Sequence, residues 1–232
     1  MTWWKWIVRV GAVALGATAV IGILHMPMAR PLLAMLGACP VKATPGQTEI
    51  ARRAALKKLR GAVPAPARPA LGFDLESTTL ADVQAWGRAR GIACQASMQD
   101  TLLKCESVPA GAVTTRASGT FDEVAFGFRL ADHRLVTVTT ISSGLDVSAA
   151  ATRFTAIAEM MEGALGAAPT AKRLPTTAWD ARGPVFVEYR FVDYIAGVSA
   201  MGMQGRGVVM REHYTSARDD GDRTQASLTV NR

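Results

Sequence analysis

Cysteine and histidine are scarce. The chain has three of each in 232 residues, and they are scattered. That excludes zinc ribbons, fingers and cluster proteins, whose ligands come in closely spaced sets. No Cys-x-x-Cys, Gly-x-Ser-x-Gly or His-Glu-x-x-His occurs, so the common redox, serine-hydrolase and metalloprotease signatures are missing. Gly202, Gly205 and Gly207 lack the Gly-Lys-Ser/Thr ending of a phosphate loop and read as a turn. Only one long apolar run exists, which excludes a multi-span transporter. What is present is 49% hydrophobic residues against 19% charged ones, the balance of a folded chain of one or two domains.

The net charge of +7 is unevenly placed. Residues 1–70 hold ten Lys/Arg and one acid, Glu49, whereas residues 71–232 hold sixteen Lys/Arg and eighteen Asp/Glu. The basic character therefore belongs to the N-terminal segment. A nucleic-acid-binding domain would carry its basic patch on the folded part, so no nucleic-acid partner is expected. Arg greatly outnumbers Lys and Ala is abundant, a composition suited to a GC-rich bacterial genome.

Residues 1–41 read as a membrane anchor or signal. Val10 to Met28 carries no fixed charge, and its nineteen residues are long enough to span the roughly 30 Å hydrocarbon core. Trp3, Trp4 and Trp6 beside Lys5 and Arg9 form an aromatic and cationic collar for the headgroup boundary. Ala12 and Gly16, and likewise Ala14, Thr18 and Gly22, stack small side chains at four-residue spacing, the pattern that lets another membrane helix approach. Ala17-Thr18-Ala19 offers a cleavage site, so a cleaved signal stands as the alternative. Leu36-Gly37-Ala38-Cys39 resembles the lipobox of bacterial lipoproteins, which implies acylation of Cys39; an ordinary cysteine is the other reading.

Residues 42–70 form a basic helix and a linker. Glu49 to Arg60 reads as a short amphipathic helix with Arg53, Lys57 and Arg60 on one side, suited to solvent or to anionic membrane lipid. Pro64, Pro66 and Pro69 mark a stiff spacer before the domain. Residues 71–216 are the globular domain and residues 217–232 a charged tail. Thr79 with Asp82 forms a capping box for a helix stopped at Gly91. Thr101 to Glu106 reads as a strand. Val124, Phe126, Phe128 and Leu130 alternate with polar or small residues, and a turn at 131–134 leads to a second strand over 135–141. Asp146 caps the strongest helix, whose Val147, Ala150, Phe154, Ile157, Met161 and Leu165 recur at three and four, with Gly166 and Pro169 ending it. Further strands follow at 185–191, 198–203 and 208–214. The expected class is α+β: a single N-terminal transmembrane helix, then an antiparallel sheet with helices packed on one face.

Cys94 and Cys105 are placed to form a disulfide between the end of the first domain helix and the next strand, a bond suited to an oxidising compartment. His133 and His213 read as surface residues without a nucleophile or an orienting carboxylate. No catalytic, cofactor-binding or metal-binding set is expected. Tyr189, Arg190, Tyr194, Arg211 and Tyr214 supply the residue types that anchor protein interfaces, set against a reading as ordinary sheet packing.

Thr79-Leu80-Ala81-Asp82-Val83 opening a helix, the Cys94/Cys105 pair, and Leu165-Gly166 followed by Pro169 resemble small bacterial envelope proteins. These are the outer-membrane assembly lipoproteins of the SmpA/OmlA type and the β-lactamase-inhibitor protein. The resemblance implies a module that binds other proteins rather than an enzyme, and it carries over no functional residue. The expected function is a membrane-anchored extracytoplasmic interaction module, an accessory or assembly subunit of a larger bacterial membrane complex. It would be held single-pass in the inner membrane with its domain in the periplasm, its partners being membrane lipid and the other subunits. The alternative is a free-standing envelope protein or lipoprotein that binds a small ligand or lipid.

Overall fold

The computed structural model describes residues 45–114, 119–175, 183–205 and 207–218. The elements run α1 (Pro45–Leu59), α2 (Leu80–Ala89), β1 (Cys94–Ser97), β2 (Leu102–Pro109), α3 (Ala110–Val113), β3 (Thr120–Phe128), β4 (Leu135–Leu145), α4 (Val147–Leu165), β5 (Ala171–Arg173), β6 (Val185–Arg190), β7 (Tyr194–Met203) and β8 (Gly207–Ser216). These eight strands join one antiparallel sheet in the order β1-β2-β3-β4-β8-β7-β6-β5.

This order is two four-strand meanders, each preceded by a helix and joined at their last strands, β4 and β8. The outermost strands are the two shortest, four and three residues, which limits the exposed edges at which another chain could pair. Local signals explain the helices. Thr79 and Asp82 make a reciprocal capping box at α2. Asp146 accepts from the Ala149 N–H at 2.8 Å to open α4, and Gly166, in the left-handed region at φ 58°, closes it.

Pairing register aligns the buried phase of every central strand. Leu103, Phe126, Val138, Tyr214, Ala196 and Tyr189 form one row across the front face, and Cys105, Val124, Thr140, Glu212, Val198 and Val187 form the next. Helix α2 covers the β2–β3 half of this face through Trp86, edge-to-face with Phe73 and Phe126. Helix α4 covers the β7–β8 half with Ala150, Phe154, Met161 and Leu165.

The expected fold class is corrected. One eight-stranded antiparallel sheet dominates the domain, with few helices, and these do not keep to a single face. Ile195 alternates with Tyr194 and Ala196 of the front face, so it points to the back, and there it packs with Leu56 and Leu59 of α1 and with Ala217. No helix among the described residues is long and apolar enough to cross a membrane. The segment expected to carry the transmembrane helix lies outside them.

Residues 60–70 also differ from a free spacer. They run along the turn between β6 and β7: the Gly61 N–H donates to Phe191 O at 3.1 Å, the Val192 N–H to Val63 O at 2.8 Å, and the Ala65 N–H to Asp193 Oδ1 at 2.8 Å. The buried Tyr194 hydroxyl donates to Pro69 O. Prolines have no N–H and stay extended, which leaves their carbonyls available to such donors.

Candidate functional site

Helix α4 does not seal the front face along its whole length. Its buried stripe faces β7 and β8, while Ala149, Thr152, Arg153, Ala156, Ile157 and Met160 turn toward the other half of the sheet. Between this flank and Leu71, Thr114 and Leu145 opens a groove of about 650 Å³, within the usual size range of small-ligand sites. Leu71, Leu145, Ile157 and Met160 make its walls apolar. Asp146, Ser148, Arg153 and Glu212 supply the charged and polar atoms.

Glu212 is the unusual member. Position 212 falls in the buried phase of β8, between Met210 and Tyr214, and the residue is 3% exposed. Charged side chains are almost never so buried unless paired. Among the described residues it has no ion pair; its polar partners are the Tyr214 hydroxyl, which donates to Oε1, and Thr140 across the β4–β8 pairing. Burial pushes the Glu212 carboxyl above the ordinary glutamate range, against the opposing pull of the Tyr214 hydroxyl, Arg153 and Thr140.

Arg153 is the second. Its guanidinium carbon sits 4.7 Å from the centre of the Phe121 ring. Its Nε is shut off from solvent and has no hydrogen-bond partner among the described residues. Burial lowers the guanidinium pKa, opposed by the charges of Glu212 and Asp122. The remaining carboxylates nearby are engaged. Asp122 accepts from the Ser143 N–H and hydroxyl, and Asp146 caps α4. The groove thus offers apolar walls beside a half-buried cation and a buried carboxyl. That combination can bind and orient a molecule.

The sequence-derived candidates are placed as follows. Cys94 and Cys105 are bonded, directly opposite each other across β1 and β2 with Cα atoms 4.1 Å apart. The bond joins the first two strands rather than helix and sheet, and a Cβ added at Gly87 of α2 would lie 3.1 Å from Cys94 Sγ. Tyr189, Tyr194 and Tyr214 are 1%, 0% and 1% exposed, so they belong to the core and correct the expected interface. Arg190 is held by Glu188 at 2.6 Å, and Arg211 is exposed. His133 lies in the β3–β4 turn and His213 on the back face of β8. Gly205 sits in the β7–β8 turn. Among the described residues, no group of three or more His, Cys, Asp or Glu side chains is placed to hold a metal. Trp3, Trp4, Lys5, Trp6, Arg9, Ala12, Ala14, Gly16, Thr18, Gly22 and Cys39 lie outside the described residues, as does the tail from 219 onward.

Arg153 and Glu212 were not among the sequence candidates. For Glu212 a signal existed: a carboxylate in the apolar phase of Val208, Met210, Glu212 and Tyr214. For Arg153 none did, since an arginine beside a helix's apolar stripe is ordinary. Comparison with known proteins finds no matching family model, characterised protein or solved structure.

Proposed function

We propose that this domain is a non-catalytic binding module of the envelope's oxidising side that holds a small amphipathic molecule in the groove beside α4. The observation that carries this reading is the groove itself, with apolar walls beside Arg153 and Glu212. The Cys94–Cys105 bond supports the location, because disulfides persist where thiols are not kept reduced, as in the periplasm. Ligand binding is preferred over a role as accessory subunit of a membrane complex. The tyrosines that favoured a protein interface are spent in the core, and Arg190 is engaged by Glu188.

Nile red, a neutral apolar fluorophore, tests this. Titrated into the intact chain, it should brighten and shift to the blue with a stoichiometry near one. Ala156→Trp, which fills the groove from its exposed helical flank, should abolish that signal while leaving the circular dichroism unchanged. No brightening, or brightening indifferent to Ala156→Trp, would overturn the reading.

A further inference from the structure

We infer that the groove selects an amphipathic carboxylate, an acyl or aryl body ending in one carboxylate group, with Arg153 as the partner of its head. This rests on the ligand-binding reading above and deepens it.

The guanidinium at the groove has no hydrogen-bonded counterpart among the described residues, although the charges of Glu212 and Asp122 act on it. Among the described residues Arg153 makes no hydrogen bond or ion pair, and its Nε is removed from water. A guanidinium carries five N–H donors, and a donor withdrawn from water without an acceptor is costly. The protein's own carboxylates do not fill the gap. Asp122 is bound to Ser143, Asp146 to the first turn of α4, and Glu212 to Tyr214 and Thr140. A planar carboxylate in the groove can take two parallel hydrogen bonds from the terminal nitrogens of the fork, which are not closed off as Nε is.

The surrounding charges decide between anions. Asp146 lines the groove, Asp122 lies close enough to act on Arg153, and Glu212 lies beside it. With these acids around one cation, each further negative charge on a ligand meets added repulsion, so a monoanion paired with Arg153 is favoured over a phosphate dianion. The apolar part follows from Leu71, Leu145, Ile157 and Met160, which would cover a hydrocarbon body.

Competition against bound Nile red gives the test, with four twelve-carbon probes: dodecanoate, dodecanamide, dodecyl phosphate and dodecylammonium, each below its micelle-forming concentration. Dodecanoate should displace the dye at least tenfold more tightly than dodecanamide. Arg153→Gln should weaken dodecanoate by about 10- to 100-fold, the range of a hydrogen bond to a charged group, and weaken dodecanamide far less. Arg153→Lys should fall between, keeping the charge without the fork. Glu212→Gln, which keeps the shape of the side chain, should weaken dodecanoate far less than Arg153→Gln does.

Equal binding of acid and amide overturns the inference while the groove reading stands. Tighter dodecyl phosphate or dodecylammonium overturns it too, the latter by pointing to Glu212 as the head-group partner. The head-group comparison uses the unaltered chain, so it decides even where Arg153→Gln does not fold. Failure of Nile red to respond to Ala156→Trp marks failure of the groove itself.

Discussion

Glu212 and Tyr214, two residues apart on β8, point to the same buried face, and the Tyr214 hydroxyl donates to Glu212 Oε1. With no ion pair to Glu212 among the described residues, this bond and that of Thr140 are what make a carboxyl tolerable in a row otherwise made of Cys105, Val124, Val198 and Val187. Tyr214→Phe should therefore cost about 1–3 kcal/mol in urea unfolding, the penalty for stranding a buried polar group. The proton balance fixes the pH dependence. Because the folded pKa of Glu212 is raised, the folded chain holds a proton that the unfolded chain releases above about 4.5. Glu212 thus makes stability fall as pH rises from 4.5 to its folded pKa, with no further change above that. Unfolding profiles of Glu212→Gln and the native chain should diverge over this window in that direction. Parallel profiles would contradict the burial of the carboxyl.

His213 carries the opposite slope. It lies on the back face over Gly197, with Nδ1 buried and without a hydrogen-bond partner among the described residues. Burial, aided by Arg211 and opposed by Glu188, lowers its pKa to about 4. The unfolded chain takes up the proton near 6.5, so stability present above that pH is lost as pH falls toward 4, by up to about 3 kcal/mol. His213→Gln should remove this acid-side loss. Comparison of each single variant with the native chain separates the two residues, whose windows overlap and whose signs differ. An unchanged acid limb in His213→Gln would rule out the neutral buried imidazole.

The local chemistry of this fold could be read directly. Thr79 and Asp82, Asp146, Gly166 and the alternation around Phe126 act within a few residues of themselves, and each element they announce is present. Two kinds of feature could not. Strands β1 and β5 are too short to show a period, and they exist because longer neighbours pair with them. The pairing of β4 with β8 joins residues more than sixty positions apart and leaves no local trace. The tyrosines show the same limit. Alternation carried unbroken from Tyr189 to Tyr194 puts them on opposite faces, but the turn at 191–193 resets the phase, so both end on the front face. The groove is harder still, because α4, β4, β8 and the residues at 71 and 114 enclose it together and no segment encodes it alone.

Gly61 holds the N-terminal segment to the sheet. A Cβ built there would stand 2.0 Å from Arg190 O, a backbone atom with no freedom to retreat, whereas a Cβ at Gly46 would meet nothing. Gly61→Ala should break the strap that joins residues 60–65 to the β6–β7 turn. Trypsin should then cut faster at Lys58 and Arg60, with a loss of about 1–3 kcal/mol from the displaced contacts. Gly46→Ala should digest like the native chain. Equal digestion of Gly61→Ala would mean that the strap does not hold as described.

Gly87 and the disulfide are coupled in a way that predicts a change of sign. Gly87 is buried on α2, and an added Cβ would lie 3.1 Å from Cys94 Sγ and 3.5 Å from Ile92 O. In a helix interior, Ala is favoured over Gly by roughly 0.5–1 kcal/mol. With Cys94 bonded to Cys105 across β1 and β2, the sulfur cannot move aside, and the crowding offsets or exceeds that gain. Replacing both cysteines by serine should cost about 2.5–3 kcal/mol, from release of the loop between positions 94 and 105. In that background the untethered hydroxyl at position 94 can rotate away from α2. Gly87→Ala should therefore be neutral or destabilising in the oxidised chain and stabilising in the double-serine chain, measured as urea midpoints of the four proteins. Additive effects would show that Gly87 is not reserved for the sulfur, and an unchanged midpoint on loss of the cysteines would show that the bond contributes nothing to the fold.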